Sequence, residues 1–295
     1  MRSYFLSLWT VVASAYGITA TQLLLPLYNA PGTGGSAWSS VHDALATNPN
    51  ITATIVINVS NGPGTPSSVT SDWITGGKAL ASLPNVNLIG YVHSTLCDRP
   101  EAEVTADIAS WATWPTQYDV GIKGIFIDET PNNGSCIEYM RSLTTYIRET
   151  AQLPVVVYNP GFPATPHALD ALYALGPDLI SSLETCFTNA TNGMDLCNGT
   201  YTVYDQGGFG TTIDSTLRSW VGTENYGRTA VLVHGFHGTN GNFDATLDTL
   251  LEMLRAMVTR GIGAAVVTTN HWITPDAEPA SIGNMVAALA AANRG

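Results

Sequence analysis

Basic residues are scarce in this chain. It holds 11 Lys and Arg against 23 Asp and Glu in 295 residues, a formal net charge of −12. That sign repels phosphate backbones, so nucleic acid is excluded as a partner, and an anionic membrane surface is disfavoured for the same reason. Charge of either sign is thin, at 12% of residues, where about 25% is usual. Long apolar runs are lacking too, and nothing reaches the ~20 residues that cross a bilayer. The zinc pattern HExxH and the serine-nucleophile pattern GxSxG do not occur, which removes two common hydrolase chemistries. Cysteine is limited to four positions, Cys97, Cys136, Cys186 and Cys197.

The N-terminus reads as a secretory signal peptide over residues 1–20. Arg2 supplies the positive start, residues 4–13 (YFLSLWTVVA) the apolar centre, and Ala15-Tyr16-Gly17 or Ala20 the small-residue end. The remainder, residues 21–295, is expected to be one domain, secreted, extracellular or associated with a cell wall, and free of the membrane once the signal is removed. Four cysteines in an oxidising compartment suggest two disulfides with three possible pairings. The loop positions favour Cys97–Cys136 and Cys186–Cys197. Five N-x-S/T sequons, at Asn50, Asn58, Asn133, Asn189 and Asn198, fit a glycosylated chain. A monomer with no cofactor is expected.

Eight short β-branched runs alternate with eight amphipathic stretches. The strands read as residues 22–28, 52–59, 86–94, 123–129, 153–159, 178–184, 228–236 and 263–270. The helices between them read as residues 36–46, 71–83, 101–114, 136–151, 167–176, 212–222, 243–261 and 280–293. In the seventh, Leu247, Leu250, Leu251 and Leu254 form an apolar stripe. Eight βα units in this length predict a single α/β domain, a (β/α)8 TIM barrel. Strands that are apolar almost throughout fit a parallel sheet covered on both faces. The long loop at 185–212 follows strand 6 and carries two cysteines and two sequons.

In such a barrel the active site lies at the C-terminal ends of the strands. Those ends offer Tyr28, Asn58, Tyr91, His93, Tyr158, Asn159, His234, Asn270 and Trp272 as substrate-binding candidates, around the carboxylates Asp128, Glu129 and Glu184. Amides, phenols and an indole around acids suit a neutral sugar, with hydrogen bonds to hydroxyls and flat faces for C–H stacking. Glycoside hydrolysis needs one neutral acid and one carboxylate across the scissile bond. Asp128 and Glu184, on strands 4 and 6, are the pair placed for it. Asp128 and Glu129 point to opposite faces of a regular strand, so either the chain has turned at Glu129 or one acid stands behind the site. The same parity groups Asp128 with Phe126 and Glu184 with Ser182. Gly32–Ala37 matches GxGxxA but lacks the acid about 20 residues on, and reads as a turn. His234 and His237 have no further ligands at suitable spacing, so no metal is expected.

The stretches LLLPLYNAPGTGGSAW, NPNITATIVINVSNGPG, LPNVNLIGYVHS, YDVGIKGIFIDETP, VVVYNPG and SLET, in this order, resemble the spherulin-4-like proteins, glycoside hydrolase family 135. The resemblance runs from about residue 22 to the last strand. It implies a secreted (β/α)8 endo-hydrolase of α-1,4-linked N-acetylgalactosamine in galactosaminogalactan, a cell-wall and biofilm polysaccharide. It implies catalytic roles for the adjacent acids after strand 4 and the Glu after strand 6, here Asp128, Glu129 and Glu184. The Leu96-Cys97-Asp98 stretch and the cysteine-bearing loop after Glu184 depart from the pattern. In an α-linked galactosamine the 2-acetamido group lies on the leaving-group side, where it cannot attack C1. A protein carboxylate is therefore expected to do so, with Asp128 as nucleophile, Glu184 as general acid/base, and Glu129 orienting one of them or binding the sugar amide. The alternatives are a non-catalytic polysaccharide-binding coat protein and a glycosidase of another galactosyl or galactosaminyl polymer.

Overall fold

The computed structural model describes residues 20–133, 135–161, 165, 167–188, 203–241, 243–270 and 276–295. Eight parallel strands close into a barrel. They are β1 (Gln22–Leu27), β2 (Ala53–Ile57), β3 (Val86–His93), β4 (Ile122–Asp128), β5 (Val155–Asn159), β6 (Leu179–Cys186), β7 (Thr229–His234) and β10 (Ala264–Val267). The order around the barrel is β1-β10-β7-β6-β5-β4-β3-β2. This is the α/β (β/α)8 TIM barrel expected from the alternation of apolar runs. The signal peptide assigned to residues 1–20 lies almost wholly outside the described residues.

The helices α1 (Ser39–Thr47), α2 (Ser71–Ala81), α3 (Glu101–Gln117), α4 (Ile137–Thr145), α5 (Asp170–Ala174), α6 (Arg218–Trp220), α7 (Leu247–Thr259) and α8 (Ile282–Ala292) surround the strands. Among the described residues no helix is long and apolar enough to cross a membrane. The barrel strands are buried along nearly their whole length, as in β2 and β10, where every residue is buried. Alternation along a strand therefore separates two buried layers, the barrel interior and the helix interface. Trp111 of α3 shows the outer layer. It covers Gly90 of β3 so closely that a Cβ there would collide with the indole, and its Nε1 donates to the Tyr91 carbonyl at 2.8 Å. Thr21 and Asn293 exchange two hydrogen bonds, of 3.1 and 2.8 Å, tying the start of β1 to the end of α8.

Two sequence expectations change here. Residues 243–261 do not form one helix. Phe243–Asp244 pair with Thr239–Asn240 as a small antiparallel ribbon, β8 and β9. The helix starts at Leu247, where the Thr246 hydroxyl caps the Thr249 N–H. The buried stripe of α7 is then Leu250, Met253, Leu254 and Met257, while Leu247, in the first turn, stays exposed.

Candidate active site

β4 delivers the first carboxylate. Its register holds Asp128 beside His93 of β3 and Asn159 of β5. Gly124 lets β4 lie against β5, because a Cβ there would meet the Val155 carbonyl. Alternation puts Phe126 and Asp128 on the barrel's inner face. Below them Tyr91 stacks on Phe126 with ring centroids 6.2 Å apart, and Tyr28 meets Tyr91 edge-on at 5.4 Å. This aromatic floor closes the barrel under the acids.

β4 ends at Asp128, and Glu129 takes a left-handed backbone with φ 51°. A non-glycine residue there costs about 1–3 kcal/mol and persists only where its surroundings impose it. The loop after β3 does so. The Ser94 hydroxyl and the Leu96 N–H both donate to the Glu129 carbonyl at 2.8 Å, and Ser94 N–H donates to the Asp128 carbonyl at 3.0 Å. The turn cancels strand parity, so Asp128 and Glu129 line the same cavity. Of the two sequence alternatives for the adjacent acids, the structure has the turned chain.

β6 delivers the second carboxylate by another irregularity. Its register with β7 slips between Ser181 and Leu183. Such bulges re-aim side chains. Ser182 bonds the hydroxyl of Tyr173 on α5 at 2.7 Å, in the helix layer, while Glu184 lines the cavity. The parity argument that grouped Ser182 with Glu184 is corrected by this slip.

Three donors serve Asp128. Tyr91 OH donates at 2.7 Å to one oxygen, Asn159 Nδ2 donates at 2.8 Å to the other, and the Glu129 N–H adds a third bond. Burial raises the Asp128 pKa, and these three bonds oppose it. Glu184 has little such support. Its contact with Asn159 Nδ2 is 3.5 Å long. Burial, with the Asp128 charge added, pushes its carboxyl up to about 7. Both carboxyls are thus raised by burial, but only Asp128 has three donors opposing the rise.

The same Asn159 nitrogen bounds the gap between the acids. It lies 2.8 Å from an Asp128 oxygen and 3.5 Å from a Glu184 oxygen, so those oxygens are at most the sum of the two, about 6.3 Å, apart. The cavity over them has a volume of about 530 Å³ and opens at the barrel mouth. Its walls add Pro26, Tyr28, Thr95, Leu96, Pro160, Gly161 and Leu232.

Several predicted residues meet there and others do not. Tyr28, Asp128, Glu129, Asn159 and Glu184 line the cavity, and Tyr91 reaches it through Asp128. Tyr158 does not. It is fully buried on the opposite face of β5, with its hydroxyl bonded to Thr144 of α4. Parity from Asn159 dictates this, so Tyr158 is a packing residue. Asn58 accepts the Gly62 N–H at 2.9 Å and braces its own loop. His93 stands at the rim, 3.0 Å from Thr95 Oγ1 and 3.6 Å from Glu129 Oε2. His234 is buried with Nδ1 3.4 Å from the Cys186 sulfur. Asn270 is exposed beyond β10, and Trp272 lies outside the described residues. Among the described residues no three His, Cys, Asp or Glu side chains cluster as a metal site.

The cysteines split. Cys186 is disulfide-bonded, and its expected partner Cys197 lies outside the described residues. Cys97 and Cys136 are free thiols, which corrects the expected Cys97–Cys136 bridge. The two loops do meet, since the Cys97 thiol is hydrogen-bonded to Cys136 and is pushed up mainly by burial. Cys136 sits exposed at the left-handed N-cap of α4, where its sulfur also reaches the Ser135 hydroxyl at 3.5 Å and the Leu96 carbonyl at 4.0 Å.

Leu96 stood out in the sequence only as part of the departing Leu96-Cys97-Asp98 stretch, with no role of its own, and it lines the cavity. It is 56% exposed, at the centre of three consecutive left-handed residues, Thr95, Leu96 and Cys97, with φ 49, 54 and 76°. An apolar residue held in a strained turn at a cavity rim leaves no periodicity to read.

A parallel eight-stranded barrel with a half-buried carboxylate at the end of its fourth strand and a buried one at the end of its sixth defines the class, a (β/α)8 glycoside hydrolase. The chain belongs to the spherulation-specific family 4, whose sequence profile matches residues 22–288. It is 36% identical over 149 residues to Spherulin-4 of Physarum polycephalum. That match spans 49% of this chain and 42% of the relative's length. Among solved structures, Aspergillus clavatus Sph3 in complex with GalNAc superimposes with a TM-score of 0.70 at 23% identity, covering 92% of this chain and 98% of that one. The GH18 chitinase ChiB of Flavobacterium johnsoniae shares the fold more distantly, with a TM-score of 0.52 at 12% identity over 93% of this chain and 94% of that one.

Proposed function

We propose that this chain is a secreted, monomeric, endo-acting glycoside hydrolase that cleaves α-1,4-linked N-acetylgalactosamine in a galactosaminogalactan-type polysaccharide. The observation that carries this reading is the unequal carboxylate pair. Asp128 is held by three donors, Glu184 is pushed up to about 7, and the two are bridged by one Asn159 amide at the barrel mouth. A general acid that keeps its proton near neutrality beside an anionic partner is what glycosidic cleavage requires. The sugar named with the structurally similar Sph3 supports the choice of N-acetylgalactosamine.

In this reading an Asp128 oxygen attacks C1 while Glu184 gives its proton to the departing glycosidic oxygen. Glu184 then takes a proton from water, which attacks C1 and releases the sugar with retained configuration. The bound of about 6.3 Å between one oxygen of each acid is compatible with the carboxyl separation of about 5–5.5 Å in retaining enzymes. Glu129, half exposed on the same wall, accepts from the sugar amide N–H.

The test is a reducing-end assay on acetylated and deacetylated galactosaminogalactan, with product masses. Cleavage of the acetylated polymer into oligosaccharides is expected, with loss of at least about a thousandfold in Asp128→Asn and Glu184→Gln. Binding without cleavage by the unsubstituted chain would instead establish a coat protein. Cleavage unchanged in both variants would move the chemistry elsewhere.

A further inference from the structure

A second cavity, of about 450 Å³, opens beside the catalytic one. The loop after β2 supplies Ser60, Asn61, Thr65 and Ser68, the end of β3 supplies His93, and the stretch after it supplies Arg99. The two cavities share a wall. His93 Nδ1 is 3.0 Å from Thr95 Oγ1 and 3.6 Å from Glu129 Oε2, and Thr95 and Glu129 both line the catalytic cavity. A single imidazole forms the saddle between them.

The lining selects the ligand. Hydroxyls and a carboxamide dominate it, and each can both donate and accept hydrogen bonds. Its cation is already committed, because Arg99 donates to Asp107 at 2.7 Å and to the His93 carbonyl at 3.3 Å, with Glu103 3.6 Å away. A phosphate or carboxylate would find no unpaired positive charge. Pro63 is the one apolar side chain of the lining, which leaves little for a lipid or an aromatic ligand. The loop is pre-formed, with Asn58 accepting the Gly62 N–H at 2.9 Å and Ser68 Oγ bonded to both Thr65 N–H and Thr65 carbonyl at 2.8 Å. Binding there costs little ordering.

We propose that this second cavity is a subsite for a neighbouring unit of the same polysaccharide, a neutral glycosyl residue, so that the chain crosses His93 from the catalytic cavity toward the β2–β3 side. The proposal rests on the hydrolase reading above. It gives Asn58 and His93 defined parts, Asn58 as the brace of the subsite loop and His93 as the saddle.

The experiment uses the full chain carrying Glu184→Gln, so that ligands survive, titrated with N-acetylgalactosamine and with its α-1,4-linked di- and trisaccharides. An oligosaccharide is expected to bind about tenfold or more tighter than the monosaccharide. It is expected to shift the backbone amide resonances of Asn61, Gly62 and Thr65, which the monosaccharide leaves in place. Thr65→Trp, which fills the cavity, should abolish the chain-length gain while monosaccharide binding persists. Oligosaccharide binding that leaves those three amides unmoved overturns the proposal even if the Trp variant fails to fold. So does a length gain that survives Thr65→Trp. Failure of the hydrolase reading is seen separately, as no cleavage by the unsubstituted chain whatever the amides do.

Discussion

Tyr91 and Asp128 are joined by a 2.7 Å hydrogen bond in which the phenol, set on the inner face of β3, donates to a carboxylate two positions beyond the residue it pairs with in register. The donor holds Asp128 toward its anionic form against burial. A hydrogen bond to a charged group contributes about 1.5–3 kcal/mol. Tyr91→Phe is therefore expected to raise the Asp128 pKa by about one unit or more. In a profile of kcat/KM against pH, the acid limb should move up while the alkaline limb stays. A variant that scales the whole profile down without moving either limb would show that Tyr91 serves only packing.

In the proposed mechanism the alkaline limb belongs to Glu184, which must keep its proton to act as an acid. With its carboxyl pushed up to about 7 by burial and by the Asp128 charge, activity should decline above that pH. The limbs are those of the coupled pair. Replacing Asp128 by Asn removes the charge that helps raise Glu184. A 13C-NMR titration of the Glu184 carboxyl is then expected to give a lower value in Asp128→Asn than in the unsubstituted chain.

Stability carries the same signature. A carboxyl raised to about 7 in the folded chain, against an ordinary 4.5, makes the folded state bind more protons than the unfolded one between those pH values. Stability must then fall as pH rises through that window, by on the order of 3 kcal/mol for the full shift. Urea unfolding at pH 5 and pH 8 should show this loss, and Glu184→Gln should remove most of it. Equal slopes in the two proteins would mean that Glu184 ionises normally.

The barrel was legible because eight β-branched runs and eight amphipathic stretches are repeated signals, each buried on a predictable face. Asp128, Asn159 and Glu184 were legible because they end such runs. Strand parity alone did not suffice at two places, each for a physical reason, and was not applied at a third. The left-handed turn at Glu129 is imposed by bonds from Ser94 and Leu96, a distant loop in sequence. The slip in β6 is set by its pairing with β7. Tyr158 was taken as a site residue because it adjoins Asn159, although adjacency in a strand means opposite faces. The ribbon of β8 and β9 rests on two residue pairs, too few for any periodic pattern.

Gly124 is a position where close approach decides the residue. A methyl group there would run into the Val155 carbonyl and side chain on β5, at the base of the strand that carries Asp128. Gly124→Ala is expected to destabilise the barrel by about 1–3 kcal/mol, the usual cost of overpacking. Part of the strain should move Asp128 relative to Asn159. The checks are the midpoint of denaturant unfolding and kcat at a temperature where the variant remains folded. A fall in kcat without a fall in stability would mean that β4 yields at its C-terminal end alone.

Leu96 gives the final expectation. Leu96 is 56% exposed on the wall of the cavity over the acids, and its N–H is fixed to the Glu129 carbonyl at 2.8 Å. An exposed leucine in a strained turn has no stability gain to explain it, whereas contact with an apolar part of a ligand does. The methyl of a 2-acetamido group, whose N–H faces Glu129 in the proposed pose, is such a part. Leu96→Ser should then raise KM for the acetylated polymer about five- to tenfold with kcat little changed, the pattern of lost uniform binding. On the deacetylated polymer, which has no such methyl, the variant and the unsubstituted chain should behave alike. An equal loss on both polymers would assign Leu96 to the sugar ring, and no loss on either would leave the left-handed turn to hold Glu129 alone.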